Sequence, residues 1–359
     1  MTRQIKVGGV KIGGGAPIVI QSMTKTDTRD VSKTIKQIKE LEDAGCEIVR
    51  VAVRDFEAAK AIKDIKKKTR IPLAADIHFD YRLALRAIEN GADKIRLNPG
   101  NIHRAEEIGE IVRLAKKRKI PIRVGVNSGS IRGKGPRTTR VRDRQESRVK
   151  GNIVVESMVK SAMDYIKILE RMDFCDIIVS LKASDVVSTV KACRLFSKKS
   201  DYPLHLGITA AGPVSTGIIK SSIGIGALLL EGIGDTIRVS LTGDPVEEII
   251  AAKNILQALG VRKFWPEIIS CPTCGRCQVD LQKIAEQIQS RTTNDERRTT
   301  KMSNLKIAIM GCEVNGPGEA READIGVACG KGSGVIFKKG KIIKRVKEKD
   351  IVKELLEEI

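Results

Sequence analysis

"VSKTIKQIKELEDAGCEIVRVAV", residues 31–53, carries a helix period followed by a strand period. Ile35, Ile38 and Leu41 recur at three-residue spacing and share one helix face, and Gly45 marks the stop. Glu47–Val53 then runs almost wholly apolar, the pattern of a short strand buried on both faces. A helix that hands over to such a strand is part of a βαβ unit, and the strands of such units are parallel.

The unit repeats. "DYRLALRAIENGA" ends in the same way at Gly91. Eight β-like segments stand out: Pro17–Gln21, Glu47–Val53, Pro72–Asp76, Lys94–Asn98, Pro121–Val126, Asp176–Leu181, Pro203–Thr209 and Asp235–Leu241. Amphipathic helical patterns separate most of them. Eight units over roughly 260 residues match a closed (βα)8 barrel of the TIM type. A doubly wound open sheet is the alternative, but it has no need of eight. The rhythm breaks near residues 262–268. Beyond it Leu305–Cys312 and Asp324–Cys329 read as strands, "GVIFKKGKIIKRV" as a hairpin around Lys339 and Gly340, and "KDIVKELLEEI" as a closing helix. The α/β chain thus divides into a barrel, 1–262, and a small α+β domain, 268–359.

Composition narrows the function classes. With 359 residues, 41% hydrophobic and 30% charged, the chain suits a folded globular protein and not a disordered one. No apolar run is long enough to span a membrane, and "MTRQIKVGG" is no secretory leader, so the cytoplasm is expected. Eight cysteines then read as thiols or metal ligands before disulfides. The net charge of +21 suits an anionic partner, either nucleic acid or a phosphorylated small molecule, although a lysine-rich solvated surface accounts for most of the excess. At 3% aromatics, base-stacking platforms are scarce, which argues against nucleic acid.

Strand alternation sharpens the choice. Arg50, Asp76 with His78, Arg96 with Asn98, Arg123 with Asn127, Ser180 with Lys182, and Arg238 with Ser240 all fall opposite the apolar sets of their segments. If the apolar sets pack on the helices, the polar sets point into the barrel. Barrel interiors are normally Val, Ile and Leu, and unpaired buried cations are costly. Asp76 or Glu47 can pair with some of them, but the acids are too few. The surplus of arginine forks implies a phosphate or diphosphate ester at the C-terminal mouth. "GVACGKGS" is one residue short of a Walker loop and reads as a turn.

"CPTCGRC" sets Cys271, Cys274 and Cys277 at C-x2-C-x2-C spacing, and Cys312 ends a strand in "MGCEVNGPGEA", whose loop can bring Glu319 to the same centre. Zinc on Cys271, Cys274, Cys312 and either Cys277 or Cys329 is one reading. An iron–sulfur cluster on three cysteines and a fourth, different ligand is another, and a Cys271–Cys274 redox disulfide is a third. Cys46, Cys175 and Cys193 read as buried small hydrophobes.

Taken in order, "QSMTKTDT", "ADIHFDYRLAL", "RLNPGNI", "VGVNSGS", "SLKASDV", "HLGIT", "EGIGDTIRVSL", "CPTCGR" and "GCEVNGPGEA" resemble the bacterial 4-hydroxy-3-methylbut-2-enyl diphosphate synthase family over nearly the whole chain. The resemblance implies an iron–sulfur oxidoreductase of the methylerythritol phosphate route to isoprenoids. Its substrate would be 2-C-methyl-D-erythritol 2,4-cyclodiphosphate, and reduced flavodoxin or ferredoxin would supply two electrons. It implies a [4Fe–4S] cluster on Cys271, Cys274, Cys312 and Glu319, with Cys277 outside the motif. The carboxylate is a harder, more readily displaced ligand than a thiolate. It implies a homodimer in which the cluster domain of one subunit covers the barrel mouth of the other. By the same resemblance Arg50, Arg96, Asn98, Arg123, Asn127, Lys182, Arg238 and Ser240 hold the substrate, with Asp76 and His78 at the same mouth.

Two departures stand out. "SIRGKGPRTTRVRDRQESRVKGN" is strongly basic where the family has a mixed segment, and reads as a solvated loop or a secondary anion patch. In "HLGITAAG", Ala210 stands where the family has an acid–base glutamate. Loss of a positioned general acid typically lowers rate by roughly 10²–10⁴-fold, so the expectation is retained binding with slow turnover. A non-catalytic or divergent diphosphate-binding iron–sulfur relative, and a basic iron–sulfur protein that binds nucleic acid, are the competing readings.

Overall fold

The computed structural model describes residues 1–130, 144–293, 300–312 and 322–359. It divides into two compact units, Met1–Arg262 and Lys263–Ile359.

The first unit opens with a hairpin of β1 (Ile5–Val7) and β2 (Val10–Ile12). Eight parallel strands follow: β3 (Val19–Met23), β4 (Ile48–Val53), β5 (Leu73–Ile77), β6 (Lys94–Leu97), β7 (Ile122–Asn127), β8 (Ile177–Lys182), β9 (His205–Leu206) and β10 (Thr236–Ile237). Their sheet order is β8-β7-β6-β5-β4-β3-β10-β9, and a parallel bridge between Val179 and Leu204 joins β8 to β9. The result is a TIM-type barrel. Between the strands run α1 (Val31–Asp43), α2 (Phe56–Lys67), α3 (Tyr81–Glu89), α4 (Ala105–Arg118), α5 (Arg144–Glu170), α6 (Val186–Ser197) and α7 (Val214–Leu229), and α8 (Pro245–Ala258) follows β10. Five of these helices start on an aspartate whose side chain accepts a backbone N–H of the first turn: Asp30, Asp55, Asp80, Asp185 and Asp244. Each such cap is worth about 1 kcal/mol and fixes where a strand-to-helix loop ends.

The barrel interior changes character along its axis. At the N-terminal end Val19, Ile48, Ala74 and Ile178 form one cluster with Ile5, Val7 and Ile12, so the hairpin plugs that end with apolar side chains. One step further along the same strand faces come Arg50, Asp76 and Ser180. The cations therefore sit above a closed apolar floor. This hairpin lies outside the eight strand segments expected from the sequence.

Two strands are shorter than expected. β9 and β10 keep only two residues each of Pro203–Thr209 and Asp235–Leu241. Gly207 lies so close to β10 that a Cβ there would stand 2.3 Å from the Arg238 carbonyl oxygen. That approach bends the chain off the ladder. It stays tethered by Arg238 N–H donating to Leu206 at 3.0 Å and Thr209 N–H to Ala183 at 3.1 Å. The basic segment is also corrected: from Arg144 onward it is the start of α5, not a loop. Its residues 131–143 lie outside the described residues.

In the second unit β11 (Glu267–Ser270), β12 (Lys306–Met310) and β13 (Ile325–Gly330) are parallel, and β14 (Ser333–Lys338) and β15 (Lys341–Lys347) complete the sheet antiparallel. β13 and β14 meet at the turn expected from "GVACGKGS". α9 (Leu281–Thr293) and α11 (Ile351–Glu357) bury Leu281, Ile284, Ile288, Ile351 and Leu355 in one core with Ile307, Ile309, Ile325, Val327 and Ile336, and α10 (Thr300–Ser303) precedes β12. β11 went unrecognised in the sequence. It is only four residues long, and none of them is fully buried. Among the described residues no helix is long and apolar enough to cross a membrane.

Candidate active site

A cavity of about 430 Å³ opens in the barrel, and all ten residues expected to bind substrate line it. Arg50 comes from β4, Asp76 from β5, Arg96 from β6, Arg123 and Asn127 from β7, and Lys182 from β8. His78, Asn98, Arg238 and Ser240 lie just past the ends of β5, β6 and β10. Asn101, Ser180, Thr209, Ala210, Gly212, Leu241 and Thr242 complete the wall. In parallel barrels the C-terminal strand ends are where function gathers.

Five cations and one carboxylate line this cavity. Asp76 pairs with Arg96 at 3.2 Å and Arg50 at 3.7 Å, and His78 Nε2 lies 3.5 Å from the same carboxyl. Burial works against the charged form of Asp76. The field of Arg50, the His78 hydrogen bond and the fields of Arg96 and Arg123 overcome it and hold the carboxyl well below the usual carboxylate range.

The remaining cations are poorly compensated. Arg123 is wholly buried, and its Nε and Nη1 have no hydrogen-bond partner among the described residues. Burial, then Arg50 and Arg96, depress its pKa far below the ordinary value. A guanidinium does not give up its proton in a protein, so a buried guanidinium among other cations favours a bound anion. Lys182 is driven well down by burial, then Arg123 and Arg238, and Arg238 falls to about 10 through burial and Arg50. Deeper still, Lys94 donates to Gln21 Oε1 at 2.9 Å.

The acids are arranged differently from the sequence reading. Glu47 does not balance interior cations; it pairs with Arg262 at 2.7 Å and accepts from Ile20 N–H at 2.8 Å. The second carboxylate is Glu248 of α8, which lies 3.6 Å from Arg238 and 3.3 Å from Lys25, and accepts from Ser22 and from Leu241 N–H. Glu248 shares the α8 face of Ala252 and Ile255, which packing buries, while Glu247 stays exposed. His205 lies inside the barrel against Thr236, outside the cavity wall. Ala210 lines the cavity in left-handed backbone, φ 52°.

In the second unit β11 and β12 pair in parallel with Ser270 opposite Ile309. Cys271 and Cys312 therefore follow at the same edge of the sheet. Cys271 Sγ accepts the Gly311 N–H at 3.2 Å, and Cys277 N–H closes a turn onto the Cys274 carbonyl at 2.9 Å. Cys271 and Cys312 are buried and Cys274 is exposed. A Cβ on Gly311 would stand 2.6 Å from Cys277 Sγ, so Cys277 also lies against this edge. Soft thiolate donors, one already receiving a backbone N–H, fit an iron–sulfur group. Among the described residues no three His, Cys, Asp or Glu side chains converge on a single-ion site. Glu319 lies outside the described residues. Cys46 and Cys193 are buried as expected, but Cys175 is exposed, displaced outward just ahead of β8.

Family models for the GcpE TIM-barrel domain and the GcpE protein C-terminal domain match residues 2–253 and 267–359. The chain belongs to the GcpE family. Named relatives of this GcpE chain include proteins called 4-hydroxy-3-methylbut-2-en-1-yl diphosphate synthase (flavodoxin). The one from Caldanaerobacter subterraneus is 56% identical over 100% of this chain and 96% of its own. That from Thermodesulfovibrio yellowstonii is 57% identical over 100% and 98%, and that from Clostridium perfringens 55% over 99% and 97%.

Proposed function

We propose that this chain reduces 2-C-methyl-D-erythritol 2,4-cyclodiphosphate to 4-hydroxy-3-methylbut-2-enyl diphosphate, with flavodoxin as electron donor, in isoprenoid biosynthesis. One observation carries the reading beyond family membership: among the described residues five cations but only Asp76 of the carboxylates line the barrel cavity, Glu248 meets Arg238 from behind, and Arg123 is buried with two donors unpaired. A cyclic diphosphate supplies the missing negative charge.

The roles follow from position. Arg96 and Arg123 bind phosphate oxygens from neighbouring strands, with Lys182 on the adjoining β8 and Arg238 across the barrel. Asn98, Asn127 and Ser240 orient the sugar hydroxyls. Asp76 holds Arg50 and Arg96 in place. Cys271, Cys274 and Cys312, with Glu319, are the ligands we propose for a [4Fe–4S] cluster, which when bound passes electrons singly to the substrate. The barrel thus binds diphosphate and the 268–359 unit holds the cluster. Working as a homodimer in the reducing cytoplasm, where free thiols persist, completes the proposal.

The test is anaerobic reconstitution with iron and sulfide, then turnover of the cyclodiphosphate with reduced flavodoxin, with the allylic diphosphate detected by mass spectrometry. Binding without product would favour the divergent relative. An electron paramagnetic resonance signal on reduction separates a cluster from zinc, which is silent, and light scattering reads the oligomeric state.

A further inference from the structure

The proposed reaction needs a proton. The ring bond from carbon to a phosphate oxygen breaks, the hydroxyl on the neighbouring carbon leaves as water, and an alkene forms between the two carbons. Two electrons from reduced flavodoxin and one proton balance the conversion of the cyclic dianion into an allylic diphosphate trianion and water. Hydroxide is a poor leaving group, so the proton is wanted at that oxygen as the bond breaks.

The cavity wall offers few sources. The loop after β9 lines it with Thr209, Ala210 and Gly212, of which Thr209 alone carries a polar side chain. The arginines keep their protons. Asp76 is ionised and fastened by Arg50 and Arg96. Among the described lining residues this leaves His78 and Lys182. Lys182 is 9% exposed and lies deep among other cations, which favour its neutral form. His78 has a side chain 46% exposed, so solvent can return its proton after each turnover. Its Nε2 lies 3.5 Å from the Asp76 carboxyl, a contact that orients the ring and leaves Nδ1 for the substrate. The Phe79 ring meets it edge-on at 6.1 Å. The charged groups that face His78 from the wall are Asp76 on its own strand, Arg50 on β4, Arg96 on β6, Arg123 on β7, Lys182 on β8 and Arg238 beyond β10.

We infer that His78 is the proton donor of this chain's reaction, a catalytic residue that lets the site work without a carboxylate at position 210. The inference rests on the substrate reading above.

The test compares reconstituted wild type, His78→Gln, Ala210→Glu and the double variant. Each is measured for kcat and for cyclodiphosphate affinity by calorimetry. His78→Gln should lose about 10²-fold or more in kcat, with affinity within about threefold. Ala210→Glu should restore the His78→Gln enzyme about 10-fold or more yet change wild type less than that, because either group suffices. His78→Asn should behave as His78→Gln.

An unchanged kcat in His78→Gln would overturn the inference and point to Lys182. So would a wild type that binds the cyclodiphosphate but turns over only after Ala210→Glu. Failure of every variant to bind the cyclodiphosphate would instead remove the substrate reading on which the inference stands.

Discussion

Arg96 and Gly125 share one space: Arg96 Nη2 donates to the Gly125 carbonyl at 3.0 Å, and a Cβ on residue 125 would stand 2.4 Å from Arg96 Nε. Gly125 faces the barrel interior because the neighbouring strand's guanidinium occupies the volume a side chain would fill. Gly125→Ala should push Arg96 off Asp76, destabilise the fold by about 1–3 kcal/mol and weaken cyclodiphosphate binding at least tenfold. Urea unfolding and calorimetry read the two effects separately.

Arg123 is held at a cost to the empty protein. Replacing a poorly paired buried charge with an apolar side chain of similar length often stabilises, by about 1–4 kcal/mol. Arg123→Met should therefore raise Tm while binding of the cyclodiphosphate falls by about 10²-fold or more. A variant that is both less stable and still binding would contradict the role assigned to Arg123.

Asp76 makes stability depend on acid. Its folded carboxyl titrates below the unfolded value near 3.9, so its contribution is complete above about pH 4 and is lost as pH falls towards the folded value. Asp76→Asn leaves Arg50 and Arg96 uncompensated and should cost about 3–5 kcal/mol at neutral pH. The wild-type and variant unfolding curves should converge as the solution is acidified.

Lys182 predicts a proton count. Burial and its cationic neighbours depress its folded pKa, so unfolded chains hold more protons in the window between the folded value and about 10.4, and stability rises with pH there. A bound diphosphate favours the ammonium and raises the pKa again. Binding measured at a pH between the folded value and about 10.4 should take up protons, seen as a dependence of calorimetric enthalpy on buffer ionisation heat. Lys182→Met should abolish most of that dependence.

Ala210 adopts left-handed backbone that an L-residue occupies at a cost of about 1 kcal/mol relative to glycine. Ala210→Gly should raise Tm by about 2 °C. An unchanged or lower Tm would mean that contacts of the methyl group offset the strain.

The amino-acid sequence alone determined the parallel barrel, the break into a second unit and the ten polar residues expected at the cavity wall. These are local properties: period-two alternation sends Arg50, Asp76, Arg96, Arg123 and Lys182 to the face opposite their apolar neighbours, and helices between the strands force the strands parallel. The family motifs likewise lie in short contiguous runs. Tertiary structure alone decided what each of those residues meets. Glu248 became the partner of Arg238 and Glu47 that of Arg262 because a carboxylate's partner depends on which helix packs behind which strand, over 200 positions away in the case of Arg262. The hairpin β1–β2 could plug the barrel only once Val19, Ile48, Ala74 and Ile178 had been gathered from four strands. Gly125 and Gly207 read as ordinary strand glycines until neighbouring backbone and guanidinium atoms were in place. Pairing across a barrel is set by closure and packing, which no local period encodes.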